Sequence, residues 1–138
     1  GSRILGVQAA QLAATASWVS KQAGCSSVRI VASGPVSSVV ALCAVGCSSV
    51  ELKSLTLTDS FVSLKQLTEE AMKYDDFSSL FCFGLLEAFD LRELIGLCAP
   101  LPVDVTSVRA DAQRTVIELE ALRQYATNMG APEFHLPV

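Results

Sequence analysis

The stretch "RIVASGPVSSVVAL", residues 29–42, is where residue types and spacing in this sequence point to chemistry. It runs from an apolar segment through a tight turn into a second apolar segment, with Ser33 and Ser37 in and beside the turn. Many α/β enzymes carry a nucleophilic serine at such a strand-to-helix junction. A serine there attacks an ester or amide carbonyl with the help of a histidine and a carboxylate. Pro35, at the centre of this turn, has no hydroxyl.

The cysteines and the single histidine indicate no metal or redox centre. The chain has five cysteines, an odd number, and none are spaced as CxxC. We expect them to be reduced and to pack as small hydrophobic side chains. Cys43 and Cys47 are four residues apart and fit one helix face. One histidine is too few for the usual zinc ligand sets, so neither a metal nor a cofactor is expected.

Two other polar patterns in the sequence are candidate sites. The adjacent carboxylates Glu69–Glu70 and Asp75–Asp76 do not share a helix face, so they predict a solvated surface. The segment "ASGPVSS" has one glycine and is not a glycine-rich phosphate loop. A helix that begins next to Ser33 and Ser37 can still bind an anion through its backbone amides.

Composition limits the classes of function. The chain has 138 residues, a net charge of −4 and 51% hydrophobic residues. Its ten basic residues are scattered, which argues against nucleic acid as a partner. No apolar run reaches the roughly 20 residues of a membrane span, so no membrane partner is expected. Gly1–Ser2 is expected to be a remnant of a cloning tag.

Helix and strand patterns alternate along the chain. Apolar periodicity predicts helices over 4–23, 36–46, 61–73 and 110–127, and strands over 28–33, 50–57, 102–107 and 133–138. The segment 74–98 predicts two short helices broken near Gly84 and Asp90. Strands that alternate with helices imply parallel pairing through right-handed crossovers. The predicted fold is a single α/β domain over 3–138, a three-layer α/β/α sandwich of about four mainly parallel strands.

Four successive segments resemble the C-terminal half of the α/β-hydrolase superfamily, specifically the acetyl-xylan-esterase-like and dienelactone-hydrolase-like bacterial esterases. They are "RILGVQAAQLAATASWVSKQAG", "SSVRIVASGPVSSVVALCAV", "VELKSLTLTDSFVSLKQL" and "LLEAFDLRELIGLCAPLPVDV". By this resemblance they correspond to the helix before the nucleophile strand, that strand with its following helix, the next strand, and the approach to the acid-bearing strand. The resemblance covers the chain from Arg3 onward.

The resemblance also implies a partner. The family fold has further strands before the helix at residue 4, and they flank the nucleophile strand. Without them, strand 28–33 has an apolar free edge that invites pairing with another chain. The expected partner is therefore either the missing N-terminal half of the fold or a self-associating copy that pairs through this edge.

The family's catalytic residues do not carry over intact. The motif Gly-x-Ser-x-Gly falls on residues 33–37, which places Pro35 at the nucleophile and serines at both glycines. Ser33 and Ser37 remain weak candidates, and capping or packing is the more ordinary role for both. Asp111 matches the position of the family acid but also suits a helix start. His135 falls inside the last predicted strand, before the loop that carries the family base.

Three functions follow as hypotheses. The first is a non-catalytic or truncated α/β-hydrolase-like domain, a pseudoenzyme or domain fragment that serves packing, assembly or ligand binding in a larger esterase-related protein. The second is a part of an active carbohydrate or carboxyl esterase whose nucleophile and base lie outside this chain. The third is a small flavodoxin-like domain that binds a phosphate-bearing ligand near Ser33, Asp59 and Ser107.

Overall fold

The alternation of helices and strands is confirmed in a computed structural model. The model describes residues 3–22, 27–47, 51–70, 72–82, 84–128 and 134–135. Gly1–Ser2 and Cys25 lie outside the described residues.

The strands and helices follow the predicted order. The helices are α1 (Ile4–Gln22), α2 (Pro35–Gly46), α3 (Gln66–Glu69), α4 (Tyr74–Phe77), α5 (Leu85–Ala88), α6 (Leu91–Gly96) and α7 (Ala112–Asn128), with a 3₁₀ helix at Ser78–Leu80. The strands are β1 (Val28–Ser33), β2 (Leu52–Thr58), β3 (Val103–Val105) and β4 (Phe134–His135). As predicted, the chain between α4 and α6 breaks at Gly84, which has a φ of 86°, and at Asp90.

The sheet is parallel, and its strands are added in one direction. β1 pairs with β2, β2 pairs with β3, and the two-residue β4 pairs with β3. Right-handed crossovers that all step the same way place their helices on the same face of a sheet. The helices that follow β1, β2 and β3 therefore share one face, and α1 lies with them because it packs against α2.

The helix-covered face of the sheet forms one contiguous core with those helices. Its strand residues are all buried: Ile30, Ala32, Leu55, Leu57, Val103 and Val105. They belong to the same cluster as Val39 and Leu42 of α2 and Ile95 of α6. α2 consists mainly of small and apolar residues. It is stable because packing on the sheet removes its apolar surface from water.

The opposite face of the sheet is open in the part of the chain that the structure describes. Val31 is 72% exposed although it lies in the middle of β1. Its neighbours across the sheet on this face are Thr56 and then Asp104, which are polar and half-buried. The fold is thus a mixed α/β domain with parallel strands, as predicted, and the described helices form one layer on it.

The predicted helix over 61–73 is wrong, because only Gln66–Glu69 is helical. Side chains bind two amides that precede this short helix. Gln66 Oε1 accepts from Val62 N–H at 2.9 Å, and Asp90 Oδ1 accepts from Leu64 N–H at 2.6 Å. Because side chains hold these amides, the segment before Gln66 is fixed as a loop and not as helix.

Gly34, between β1 and α2, should be hard to replace although an added methyl meets no atom within 4 Å. Its φ is 91°, and Gly34→Ala should lower the free energy of unfolding by about 1–3 kcal/mol. Gly6→Ala is the matched control, because an added methyl in α1 also meets nothing within 4 Å. That control should raise stability by up to about 1 kcal/mol. Urea unfolding measures both, and equal effects would contradict the role of the positive φ.

Candidate functional site

The carboxyl ends of the parallel strands are where α/β proteins place ligands. Three strand ends meet there in this chain. Ser33 at the end of β1 lies in register with Thr58 at the end of β2, and the segment after β3 is joined to β2 by hydrogen bonds. This edge, from the turn after β1 to Arg109, is the candidate site.

The turn after β1 has a residue with positive φ but no hydroxyl at its centre. Gly34 has the positive φ, and its N–H donates to Thr58 O at 2.8 Å. Pro35 is the first helical residue and is buried, as its fixed φ favours. The residue in the left-handed region is therefore Gly34, one before the position that the resemblance assigns to the nucleophile, and neither residue has a hydroxyl.

The serines around this turn divide into exposed and structural ones. Ser33 ends β1 and Ser37 lies in the first turn of α2, and both are exposed. Ser38 is fully buried, and its hydroxyl donates to Gly34 O at 2.9 Å. Gly34 O also accepts from Ser38 N–H at 3.0 Å, so Ser38 locks the turn. This role of Ser38 could not be predicted from the sequence, because nothing in the spacing separates Ser38 from Ser37.

Hydroxyls and one ion pair tie the ends of β2 and β3 together. Thr58 Oγ1 and Thr106 Oγ1 are 2.9 Å apart, and Asp59 N–H donates to Ser107 Oγ at 2.8 Å. Asp59 has a φ of 54°, which turns its carboxylate toward Arg109. Arg109 Nε donates to Asp59 Oδ1 at 3.2 Å, and Nη2 contacts Oδ2.

The Asp59–Arg109 pair makes this edge nearly neutral. The hydrogen bond that Arg109 donates to Asp59 raises the pKa of Arg109 above its ordinary value, while partial desolvation opposes the rise. Both side chains are about half exposed, so the pair adds little to stability. Because Arg109 already binds Asp59, its charge is not available to bind an incoming anion.

A second polar cluster, Asp90 with Ser63 and Gln66, supports the loop beside the site. Asp90 Oδ2 accepts from Ser63 Oγ at 2.7 Å, and its Oδ1 accepts from the Leu91 and Leu64 amides. Glu93 Oε2 accepts from Asp90 N–H at 2.8 Å, which completes a capping box at the start of α6. The spacing Asp-x-x-Glu at 90–93 is the sequence signal for this motif.

Gln66 is the buried crosslink between this loop and the candidate site. Its Nε2 donates to Arg109 O at 2.7 Å and to Glu70 Oε1 at 2.9 Å, and its Oε1 accepts from Val62 N–H. Every polar atom of this side chain is satisfied. Such a fully bonded group holds a loop in place and offers nothing to a substrate.

The remaining predicted site residues lie at separate places. Asp111 immediately precedes α7, and its carbonyl accepts from Thr115 N–H at 2.9 Å, which is the helix-start role. Asp104 lies within β3, in register with Thr56 and His135. His135 lies in β4, and its side chain is outside the described part of the structure. The structure thus joins Asp59 to Ser107 and places Asp111 immediately before α7.

Three cysteines line an apolar groove of about 660 Å³ between α1 and α2. Burial, and then the nearby Cys47 and Cys82 thiols, raise the pKa of Cys43 to about 11. Burial also raises the pKa of Cys98, deeper in the core, to about 12. Among the described residues, no group of three or more His, Cys, Asp or Glu side chains is arranged to hold a metal ion.

Comparison with known proteins identifies no relative. No family model, no curated protein and no solved structure matches the chain. Within the described ranges, none of the helices has the length and apolar character needed to cross a membrane. Function must therefore be argued from the geometry of this chain.

Asp90 should be the most costly carboxylate to remove. Asp90→Ala leaves the Leu64 and Leu91 amides and the Ser63 hydroxyl without their acceptor, and should lower the free energy of unfolding by about 2–3 kcal/mol. The control Asp76→Ala, on an exposed residue of α4, should change stability by about 0.5 kcal/mol or less. Denaturant unfolding measures both variants, and similar losses would contradict the proposed role of the cluster.

Cysteine alkylation should follow burial. At pH 8 only about one thousandth of Cys43 is thiolate, and less of Cys98 is. Cys47 is exposed. Iodoacetamide should therefore modify Cys47 at least about ten times faster than Cys43 or Cys98, as read by peptide mass spectrometry. Denatured protein is the control, and similar native rates at the three sites would refute the buried environment.

Proposed function

We propose that this chain is a non-catalytic α/β domain whose parallel sheet serves as an assembly surface in a larger arrangement. The observation that carries the proposal is that one face of the sheet is uncovered at β1 in the described part of the chain. This six-residue strand lies at the end of the sheet order, and Val31 in its middle is 72% exposed. Parallel sheets are normally covered on both faces, so a parallel sheet with one bare face is typical of a part of a larger unit.

If a second layer covered the open face of the sheet, the fold would be the three-layer α/β/α sandwich that the sequence predicts. The described helices supply one layer, on the face that carries Ile30 and Leu55. A second layer over Val31 and Thr56, supplied by further polypeptide, would complete it. Full burial of one valine side chain contributes about 1.5 kcal/mol or more, so cover over this face is favourable. An origin in an α/β-hydrolase-like fold of about four strands is part of the same proposal.

The absence of catalysis is supported by the turn after β1. Gly34 and Pro35 occupy the turn, and Ser33 and Ser37 stand on either side of it. Within the described residues of the candidate site, the Asp59 carboxylate already binds Arg109 and is not available to orient a histidine base. These contacts favour a domain that packs and assembles over one that hydrolyses esters.

The flavodoxin-like alternative has less support. The first turn of α2 has no side-chain cap, which suits an anion. Arg109 is the cation of this edge in the described residues, but it is paired with Asp59. A phosphate would therefore meet backbone amides without the added charge that tight phosphate sites use.

Ester hydrolysis tests the proposal. The chain should hydrolyse p-nitrophenyl acetate no faster than its Ser33→Ala and Ser37→Ala variants, because neither serine lies in a nucleophile turn. Exposed Cys47 reacts with this ester as a thiol, so the assay is repeated in Cys47→Ser. A burst that survives Cys47→Ser and disappears in either alanine variant would overturn the non-catalytic assignment and favour the esterase hypothesis.

A further inference from the structure

We propose that a second copy of this chain pairs with the free edge of β1, antiparallel, about a twofold axis at Val31. The inference rests on the proposed assembly function and names a partner for the edge of the sheet, while the open face remains for further polypeptide to cover. It follows from the direction of the β1 hydrogen-bonding groups, from the residue pattern of that strand and from the exposed side of α1.

The outward-facing backbone groups of β1 belong to three residues. Gly34 N–H donates to Thr58 O on β2. Because backbone groups alternate in direction along a strand, Ala32 and Ile30 also face β2, while Ser33, Val31 and Arg29 face away from the sheet. In the described chain no strand pairs with that outer side. Three donors and three acceptors are thus presented in line, which is a template for another strand.

The sequence of β1 is self-complementary in one register. When Val31 lies opposite Val31 of the second copy, Arg29 lies opposite Ser33 of that copy, in both directions. All the outward residues are then hydrogen-bonded pairs, and no like charges face each other. Ile30 lies opposite Ala32 of the copy on the helix-covered side, so both faces of the sheet are continued. A shift by one residue would place apolar side chains on the wrong face.

A groove beside the edge is ready for an added strand. It has a volume of about 380 Å³ and lies between α1, α2 and β1, with Leu12 and Val40 among its lining residues. Gln8 also lines it, and Gln8 Oε1 is a buried oxygen without a hydrogen-bond partner in the described structure. The helix-side residues of an added strand, Ile30 and Ala32 of the copy, would lie over this groove.

The outer side of α1 selects the antiparallel arrangement. Leu5, Ala9 and Ala16 are the buried residues of α1, while Ile4, Val7 and Trp18 are exposed large apolar residues of the same helix. On a helical period the exposed set lies opposite the buried set. A twofold axis perpendicular to the sheet brings both α1 helices to the same side, where these apolar stripes meet. A parallel pairing of the two edges would separate them.

The contact is large enough for a weak dimer. A six-residue strand is about 20 Å long, and the 19 residues of α1 span about 28 Å. Strips about 10 Å wide along both would bury about 500 Å² per copy, or about 1,000 Å² in total, near the lower bound for specific interfaces. We therefore expect exchange between monomer and dimer at micromolar concentration.

Sedimentation velocity over a range of concentrations tests the dimer. Val31→Lys and Val31→Pro should each remain monomeric at concentrations where the natural chain is dimeric, with at least a tenfold weaker association. The lysine places like charges at the twofold axis, and the proline removes the central outward N–H, which an edge strand tolerates. Thr56→Lys is the control, since it adds the same charge to the same face on an interior strand. It should dimerise normally.

Amide hydrogen exchange by NMR tests the register. The amides of Arg29, Val31 and Ser33 should exchange fast in dilute samples and become protected as concentration rises, whereas Ile30 and Ala32 should be protected throughout. A monomer at every concentration, or a dimer that survives both Val31 variants, would overturn the inference. Either result leaves the proposed function in place unless serine-dependent ester hydrolysis is also found, so the two failures are distinguishable.

Discussion

The direction in which the strands are added is the constraint on which this structure depends. β1, β2 and β3 follow one another across the sheet without reversal. Because parallel crossovers are right-handed, such an order places every intervening helix on one face. Folds that cover both faces reverse the strand order at some point. The buried face with Ile30 and Leu57 and the exposed face with Val31 are therefore two results of one topology.

Periodicity and turn chemistry predicted most of the elements, because these depend on local sequence. β1 begins and ends at the predicted residues, and α1, α2 and α7 differ from the predictions by one or two residues at their ends. The failure at 61–73 has a different cause. Asp90, more than twenty residues downstream, takes the Leu64 amide, and no local pattern shows such a contact. The Asp-x-x-Glu spacing of a capping box is present at 90–93 in the sequence. The sequence does not show that Asp90 also binds a distant loop.

The candidate site was predictable in place but not in chemistry. Parallel strands had to bring the segments after β1, β2 and β3 together, and they do. Which residues pair there depends on backbone conformation that spacing cannot give. Asp59 has a positive φ, which non-glycine residues rarely adopt except Asn, Asp and His, and this turns it toward Arg109. Similarly, the positive φ of the turn after β1 lies at Gly34, because the ring of Pro35 fixes the φ of that residue at a negative value.

Folding of the single chain does not require a valine at position 31, whereas assembly gives that residue a physical role. Strand propensity alone does not require valine there, because threonine is also a good strand former, and β2 uses Thr56 and Thr58 on the same open face. The core does not require valine either, since the side chain points away from it and is largely exposed. Arg29 is the only charge in β1, so the edge lacks the lysines or prolines that usually protect such strands. An apolar residue at the centre of an unprotected edge has a clear physical use only when another strand lies beside it.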